Sequence, residues 1–191
     1  MLRFRTSYDE KTELMSRDQL IERFSLDRVG ASATGFDYQK LEWMNGVYLR
    51  ALAPDEYADR LIAYLREQGC DWDEAVIRRA APLVQEKLPT FGDFPDYAGF
   101  FFQEVEPDGA VLDPQVLGAA EEALAGAEPF DASAIEAALR GMAERLGLKP
   151  RQAFQPIRVA VTGSTVSPGL FESLEVLGKK RSLERIRAAR A

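Results

Sequence analysis

The nine residues Thr162-Gly163-Ser164-Thr165-Val166-Ser167-Pro168-Gly169-Leu170 are the part of this chain best suited to chemistry. A small-residue loop exposes backbone N–H and C=O groups, and where it enters a helix the open N–H groups favour anions. Exposed backbone groups also read the Watson–Crick edge of an unstacked base, the usual target in single-stranded RNA. Arg158, one short segment upstream, can stack on such a base or pair with it. Ser167 fits a helix N-cap and Pro168 the first helical position. A plain connector between helices fits the same residues, and residue types alone leave both options open. The loop is not a phosphate-cradling P-loop, because it lacks Gly-x-x-x-x-Gly-Lys-[Ser/Thr].

Other candidates are weaker. Gly178-Lys179-Lys180-Arg181-Ser182 reads equally as a phosphate-binding patch or as a helix C-cap with favourable dipole charges. Phe91, Phe94, Tyr97, Phe100, Phe101 and Phe102 could stack bases, but their spacing of three to four suits a buried helix face. The carboxylates Glu104, Glu106, Glu121 and Glu122 read as solvated charges, with no pocket or metal-ligand pattern beside them. The chain has no histidine, which removes the usual general base near neutral pH and the commonest transition-metal ligand. Cys70 is alone and reads as a half-buried small residue; a single cysteine fits a reducing cytoplasm. No catalytic residue and no metal site are expected.

The net charge of −7 is unevenly spread. Residues 140–191 carry eleven Lys or Arg against four Asp or Glu, a surplus of +7, which leaves about −14 on residues 1–139. Such asymmetry points to a polyanion partner, though a solvated helical face has the same signature.

The elements that must position these groups are helical throughout. Ser16-Arg17-Asp18-Gln19 is a capping-box pattern ahead of Leu20, Ile21 and Phe24. Asp37 caps a helix with the stripe Leu41, Met44, Tyr48 and Leu52. Pro54-Asp55 opens a helix carrying Tyr57, Leu61, Ile62 and Leu65, stopped by Gly69. Asp71 starts another, with Val76, Ile77, Ala80, Leu83 and Val84, and Pro82 predicts its kink or break. Asp113-Pro114, Asp131 or Ser133, Pro150, Ser167-Pro168 and Ser182 mark five further helix starts. No segment alternates like a strand. These signals predict an all-α, two-part helical bundle: residues 1–104 as the first subdomain and 105–191 as the second, split at the loop Glu104-Val105-Glu106-Pro107-Asp108-Gly109. No apolar run is long enough to span a membrane, and Met1-Leu2-Arg3-Phe4-Arg5 lacks the apolar stretch of a signal peptide.

Three segments resemble one family in order and spacing. Pro156-Ile157-Arg158 through Leu177-Gly178-Lys179, with its Ser-Pro-Gly-Leu-Phe-Glu core, is similar to the C-terminal end of bacterial glutamyl-tRNA synthetases. Phe36-Asp-Tyr-Gln-Lys-Leu-Glu-Trp-Met-Asn-Gly-Val-Tyr-Leu-Arg50 resembles the run that begins the family's helical anticodon side. Leu-Ile-Glu-Arg-Phe-Ser-Leu-Asp-Arg-Val, ending at Val29, is the third match. The resemblance covers the chain from about residue 14 onward. The family's catalytic half, with its His-Ile-Gly-His-type and Lys-Leu-Ser-Lys-type motifs, has no counterpart here.

The resemblance implies a class I aminoacyl-tRNA synthetase anticodon-binding module. It would recognise glutamate tRNA, with glutamine tRNA as a further candidate, as a cytoplasmic monomer. ATP and magnesium would belong to the absent catalytic domain, and this chain would hold no cofactor. Motif by motif, the anticodon contacts fall on Arg140, Arg158, Ser167, Pro168, Gly169 and Leu170, and on Lys87 at the end of the kinked helix, closing the site from the other side. Lysine stands at position 87 where the family often has arginine, so the planar donor fork is missing there. Lys179, Lys180 and Arg181 would contact RNA backbone. A protein–protein or general RNA interaction domain that kept this fold is the alternative.

Overall fold

The computed structural model describes residues 14–26 and 37–190. The N-terminal stretch scanned for a signal, the Asp27–Val29 end of one matched run, and Phe36 lie outside the described residues. Among the described residues the regular structure is helical: α1 (Arg17–Arg23), α2 (Tyr38–Arg50), α3 (Pro54–Glu67), α4 (Glu74–Val84), α5 (Phe94–Ala98), α6 (Pro114–Ala125), α7 (Ala132–Arg145), α8 (Pro150–Thr162), α9 (Leu170–Leu177) and α10 (Lys179–Arg190). Short 3-10 turns flank α5 at Phe91–Asp93 and Gly99–Phe101, and another lies at Gly109–Val111. No helix of the described residues is long and apolar enough to cross a membrane.

Helix starts follow local chemistry. The Gln19 N–H donates to Ser16 Oγ at 3.2 Å, and the Ser16 N–H donates back to Gln19 Oε1 at 2.9 Å. Asp37, Asp113 and Asp131 accept from the first-turn N–H groups of α2, α6 and α7. Each such cap stabilises its helix by about 1 kcal/mol. Gly69, Gly147, Gly163 and Gly178 all have positive φ at chain reversals. Three helix starts differ from expectation. Asp73 rather than Asp71 caps α4, α9 opens at Leu170 rather than at Ser167-Pro168, and α10 opens at Lys179 rather than near Ser182. Pro82, where a kink or break was expected, sits in the last turn of α4.

Two apolar clusters form the interior. The first joins Leu49 of α2 with Tyr57, Leu61, Ile62 and Leu65 of α3, the inner face of α4, and Phe94, Phe100 and Phe101. The second packs α6 to α10 around Leu117, Leu124, Ile135, Leu139, Met142, Ile157 and Leu174. Val176 of α9 belongs to the first cluster and Leu177 touches both, so α9 bridges them. Arg79 of α4 donates to the Glu175 carbonyl at 2.7 Å.

The aromatic run is mostly interior, but as 3-10 turns around a five-residue helix rather than one long helix. Phe102 stacks on Trp72 with ring centroids 4.5 Å apart, and Phe91 meets Tyr57 edge-on at 5.2 Å. Cys70 packs half-buried against the same cluster.

The expected stripe of α2 is not its buried face. Leu41 and Tyr48 are each 49% exposed, and the helix buries Gly46 and Leu49. Gly46 is there because the chain runs close by: a Cβ would stand 3.3 Å from Pro89 Cα, and Asn45 donates to the Pro89 carbonyl at 2.6 Å.

Tyr57 is fully buried and its hydroxyl has no hydrogen-bond partner. Burial alone pushes the phenol up to about 12 from its ordinary 10.0. The unfolded chain therefore releases this proton first. Its contribution to stability is intact below pH 10 and is lost as pH rises toward 12, at about 1.4 kcal/mol per pH unit. Tyr57→Phe is expected to leave stability at pH 7 unchanged or raise it by up to about 1 kcal/mol. It should also flatten the alkaline decline, as urea titrations at pH 8 and pH 11 will read.

Candidate nucleic-acid interface

Three residues of α8, at spacings of four, form one wall of a groove: Pro150, Phe154 and Arg158. Glu136 and Arg140 of α7, and Gly169, Leu170, Phe171 and Glu172 at the start of α9, line the rest of it. The groove has a volume of about 480 Å³. Phe154 and Phe171 meet edge to face in it, with centroids 5.5 Å apart. Arg158 to Pro150 spans eight residues, about 12 Å of helix.

Arg158 organises the loop. Its Nη1 donates to the Pro168 carbonyl at 2.7 Å, to the Ser167 carbonyl at 3.3 Å, and to Ser167 Oγ. Nε and Nη2 have no protein partner among the described residues and remain available. The guanidinium is half-buried, and that burial lowers its pKa below the ordinary 12.5, partly opposed by Tyr97 and Glu172. Tyr97 stands close enough that the guanidinium in turn offsets part of the burial that raises the phenol.

The loop is braced from several sides. Thr162 Oγ1 lies 2.8 Å from the Arg158 carbonyl, ending α8 with a bond to its own previous turn. It also accepts from the Ser164 N–H at 3.3 Å. Gln155 Nε2 donates to the Thr165 carbonyl at 3.2 Å. Gly163 has φ +74°, and a Cβ there would stand 3.2 Å from Val105 Cβ. Val166 at the tip is 68% exposed. Ser167 is not the N-cap of α9, because its hydroxyl bonds to Arg158 and the Pro168 carbonyl instead. Gly169 occupies the cap without a side-chain hydrogen bond. The other flank of the loop borders a crevice of about 330 Å³ shared with Tyr97, Phe100 and Glu106.

The sequence-derived residues therefore fall into separate groups. Arg140, Arg158, Gly169 and Leu170 share the groove, with Ser167 and Pro168 held against Arg158. Arg140 is paired with Glu136 on its own helix, Nη2 to Oε1 at 2.6 Å. Lys87 lies in the turn after α4, exposed, and is not among the groove residues. Lys179, Lys180 and Arg181 lie in the first turn of α10. Lys179 Nζ donates to the Ala127 carbonyl at 3.0 Å and meets Glu128 at 3.1 Å. Arg181 donates to the carbonyls of Phe101 at 2.5 Å and Gln103 at 3.1 Å. Lys180 is 90% exposed beside Glu184.

Much of the C-terminal positive charge is paired within the chain, at the surface as well as inside. Arg187 and Arg190 both reach Glu121, at 2.6 and 3.3 Å, which holds that carboxyl below its ordinary range. Sequence reasoning missed Pro150, Phe154 and Phe171 as groove residues and Gln155 as a brace. The four-residue spacing of 150, 154 and 158 was the available signal. Among the described residues no group of three or more acidic or cysteine side chains is placed to hold a metal ion.

Residues 56–190 match the family model described as "Anticodon binding domain". The chain is 43% identical to a glutamate–tRNA ligase of Roseiflexus sp. (strain RS-1), a match covering 97% of this chain and 40% of that protein. It is 42% identical to the glutamate–tRNA ligase of Herpetosiphon aurantiacus, over 97% of this chain and 41% of that protein. The chain thus spans about 40% of the length of these relatives. Among solved structures, a glutamate tRNA ligase from Elizabethkingia meningosepticum superposes with a TM-score of 0.78 at 22% identity. It covers 93% of this chain and 37% of that one, and shares the fold.

Proposed function

We propose that this chain, which belongs to the anticodon binding domain family, grips the anticodon end of a transfer RNA as the recognition module of a glutamate–tRNA ligase. The single observation that carries this reading is the groove. It sets two arginines, two aromatic rings and the Gly169-Leu170 end of the braced loop around a space of about 480 Å³. Stacking and edge contacts in such a space suit unstacked single-stranded bases. Attachment of glutamate would be the work of a catalytic domain that is not in these 191 residues. ATP and magnesium would be bound there, and no residue here is assigned to either. Residues 1–104 would act as a stem-contact and anticodon-binding subdomain and 105–191 as a second anticodon-binding subdomain, a division supported by the two apolar clusters. A monomer in the cytoplasm fits this role.

Filter binding with glutamate tRNA, and with the same tRNA carrying a scrambled anticodon, tests the proposal. The expected result is preference for the native anticodon, with affinity falling as salt rises. Equal affinity for both, or binding insensitive to salt, would refute it. Glutamine tRNA in the same assay measures how strictly the anticodon is read.

A further inference from the structure

We infer that the exposed cations Arg145, Lys149 and Arg151, at the turn from α7 to α8, form the track that grips the RNA backbone as it leaves the groove. The inference rests on the tRNA-binding role proposed above. It places the backbone grip at the opposite end of the groove from Arg158, and away from Lys179 and Arg181.

Electrostatics supports this first. Each cation of α10 other than Lys180 has a protein partner well placed to hold it. Lys179 is held by Ala127 and Glu128, Arg181 and Arg185 by backbone carbonyls, and Arg187 and Arg190 by Glu121. Arg140 is paired with Glu136. Arg145, Lys149 and Arg151, by contrast, are exposed, and their charged groups have no hydrogen-bond or ion-pair partner among the described residues. The acidic neighbours are few: Glu144 is exposed beside Arg145, Glu136 is neutralised by Arg140, and Glu172 sits at the Arg158 end of the groove. Arg145, in the last turn of α7, is favoured by that helix's dipole, but folding gains little from the other two charges. Lys149 and Arg151 flank the start of α8, where a positive side chain opposes the helix dipole. An unpaired cation there is useful chiefly to a partner of opposite charge.

Geometry supports it second. Pro150 lies between Lys149 and Arg151 and lines the groove in line with Phe154 and Arg158. A strand with a base held beside Arg158 and the Phe154–Phe171 pair therefore passes the cationic turn about 12 Å further on. The chemistry recognised at that turn is phosphate, read as charge and not as sequence.

The test compares salt titrations of glutamate tRNA binding for three forms of the 191-residue chain: wild type, the triple variant Arg145→Gln, Lys149→Gln, Arg151→Gln, and the single variant Lys179→Gln. The triple variant should lose about 2–3 from the magnitude of the log–log salt slope, with the ratio of native to scrambled anticodon affinity kept. Lys179→Gln should change the slope by less than about one contact. A triple variant with an unchanged slope, and circular dichroism and urea midpoint like wild type, overturns the inference while leaving the groove reading intact. Wild-type chain that does not distinguish the scrambled anticodon overturns the groove reading, and this inference with it.

Discussion

Arg158→Ala is expected to weaken binding of glutamate tRNA by about 1–3 kcal/mol, roughly fivefold to 150-fold. Two losses combine. The side chain holds Ser167 and Pro168 through Nη1, so the loop loses the contact that fixes its path beside the groove. The free Nε and Nη2 are the groups left to meet a base, and they go as well. Arg158→Lys separates this account from a simple charge effect. A lysine ammonium keeps the charge but cannot serve the loop oxygens and still present a planar donor edge. Lysine is therefore expected to recover little of the affinity, while the salt slope stays close to wild type. Stability should fall by only about 1 kcal/mol, because the side chain is half-buried and its partners gain water when released. Fluorescence anisotropy with labelled tRNA, paired with urea denaturation, measures both. Unchanged affinity in the alanine variant, or full rescue by lysine, would remove Arg158 from the site.

Arg185→Ala is expected to destabilise the fold by about 3 kcal/mol or more, well beyond the effect of any other α10 cation. Arg185 is only 6% exposed. Its Nη1 donates to the Val161 carbonyl at 2.5 Å, and its Nη2 donates to the carbonyls of Phe100 at 2.8 Å and Gln103 at 2.6 Å. One guanidinium thus ties α10 to the last turn of α8 and to the aromatic 3-10 turn of the first cluster. Truncation removes the donor from the Val161 and Phe100 carbonyls, leaves Gln103 with Arg181, and opens a void between the two apolar clusters. Burial already lowers the pKa of this group to about 10, with the charge of Arg181 adding to the effect. Even so lowered, the group stays protonated at neutral pH, and its hydrogen bonds are charge-assisted. Arg185→Met fills the volume without donors. If the hydrogen bonds dominate, methionine recovers less than half of the loss; full recovery would show that packing alone is at work. Lys180→Ala, at a residue 90% exposed, serves as the control and should fall within about 0.5 kcal/mol of wild type. A loss below 1 kcal/mol in Arg185→Ala would refute the junction role.

The same residues explain how far the sequence carries. Helix identity and most helix starts are written locally. Ser16 with Gln19, Asp37, Asp113, Asp131 and Pro54 act on N–H groups within one turn of themselves. The apolar stripe of α3 is likewise periodic with its own helix, and Tyr57, Leu61, Ile62 and Leu65 are all buried. The small-residue loop after α8 and the arginine one turn before it also lie close in sequence, so their meeting is legible from spacing.

What the tertiary structure decided is the use of each charge and of each half-apolar face. Lys179 and Arg181 look like free cations in sequence, yet their partners lie 51 and 80 residues away. Glu121 reads as solvated but collects Arg187 and Arg190 from 66 and 69 residues off. The α2 stripe through Leu41 and Tyr48 is periodic, but what covers a face depends on neighbours, and Pro89 lies against Gly46 and Asn45 instead. Capping and periodicity act over three or four residues, so the sequence by itself determines them. Ion pairing, desolvation and groove formation depend on which helices meet across the fold. That is why a basic C-terminal quarter, uniform as a string of residues, becomes two different surfaces: α10, most of whose cations have partners within the chain, and the turn from α7 to α8, whose cations face out beside the groove.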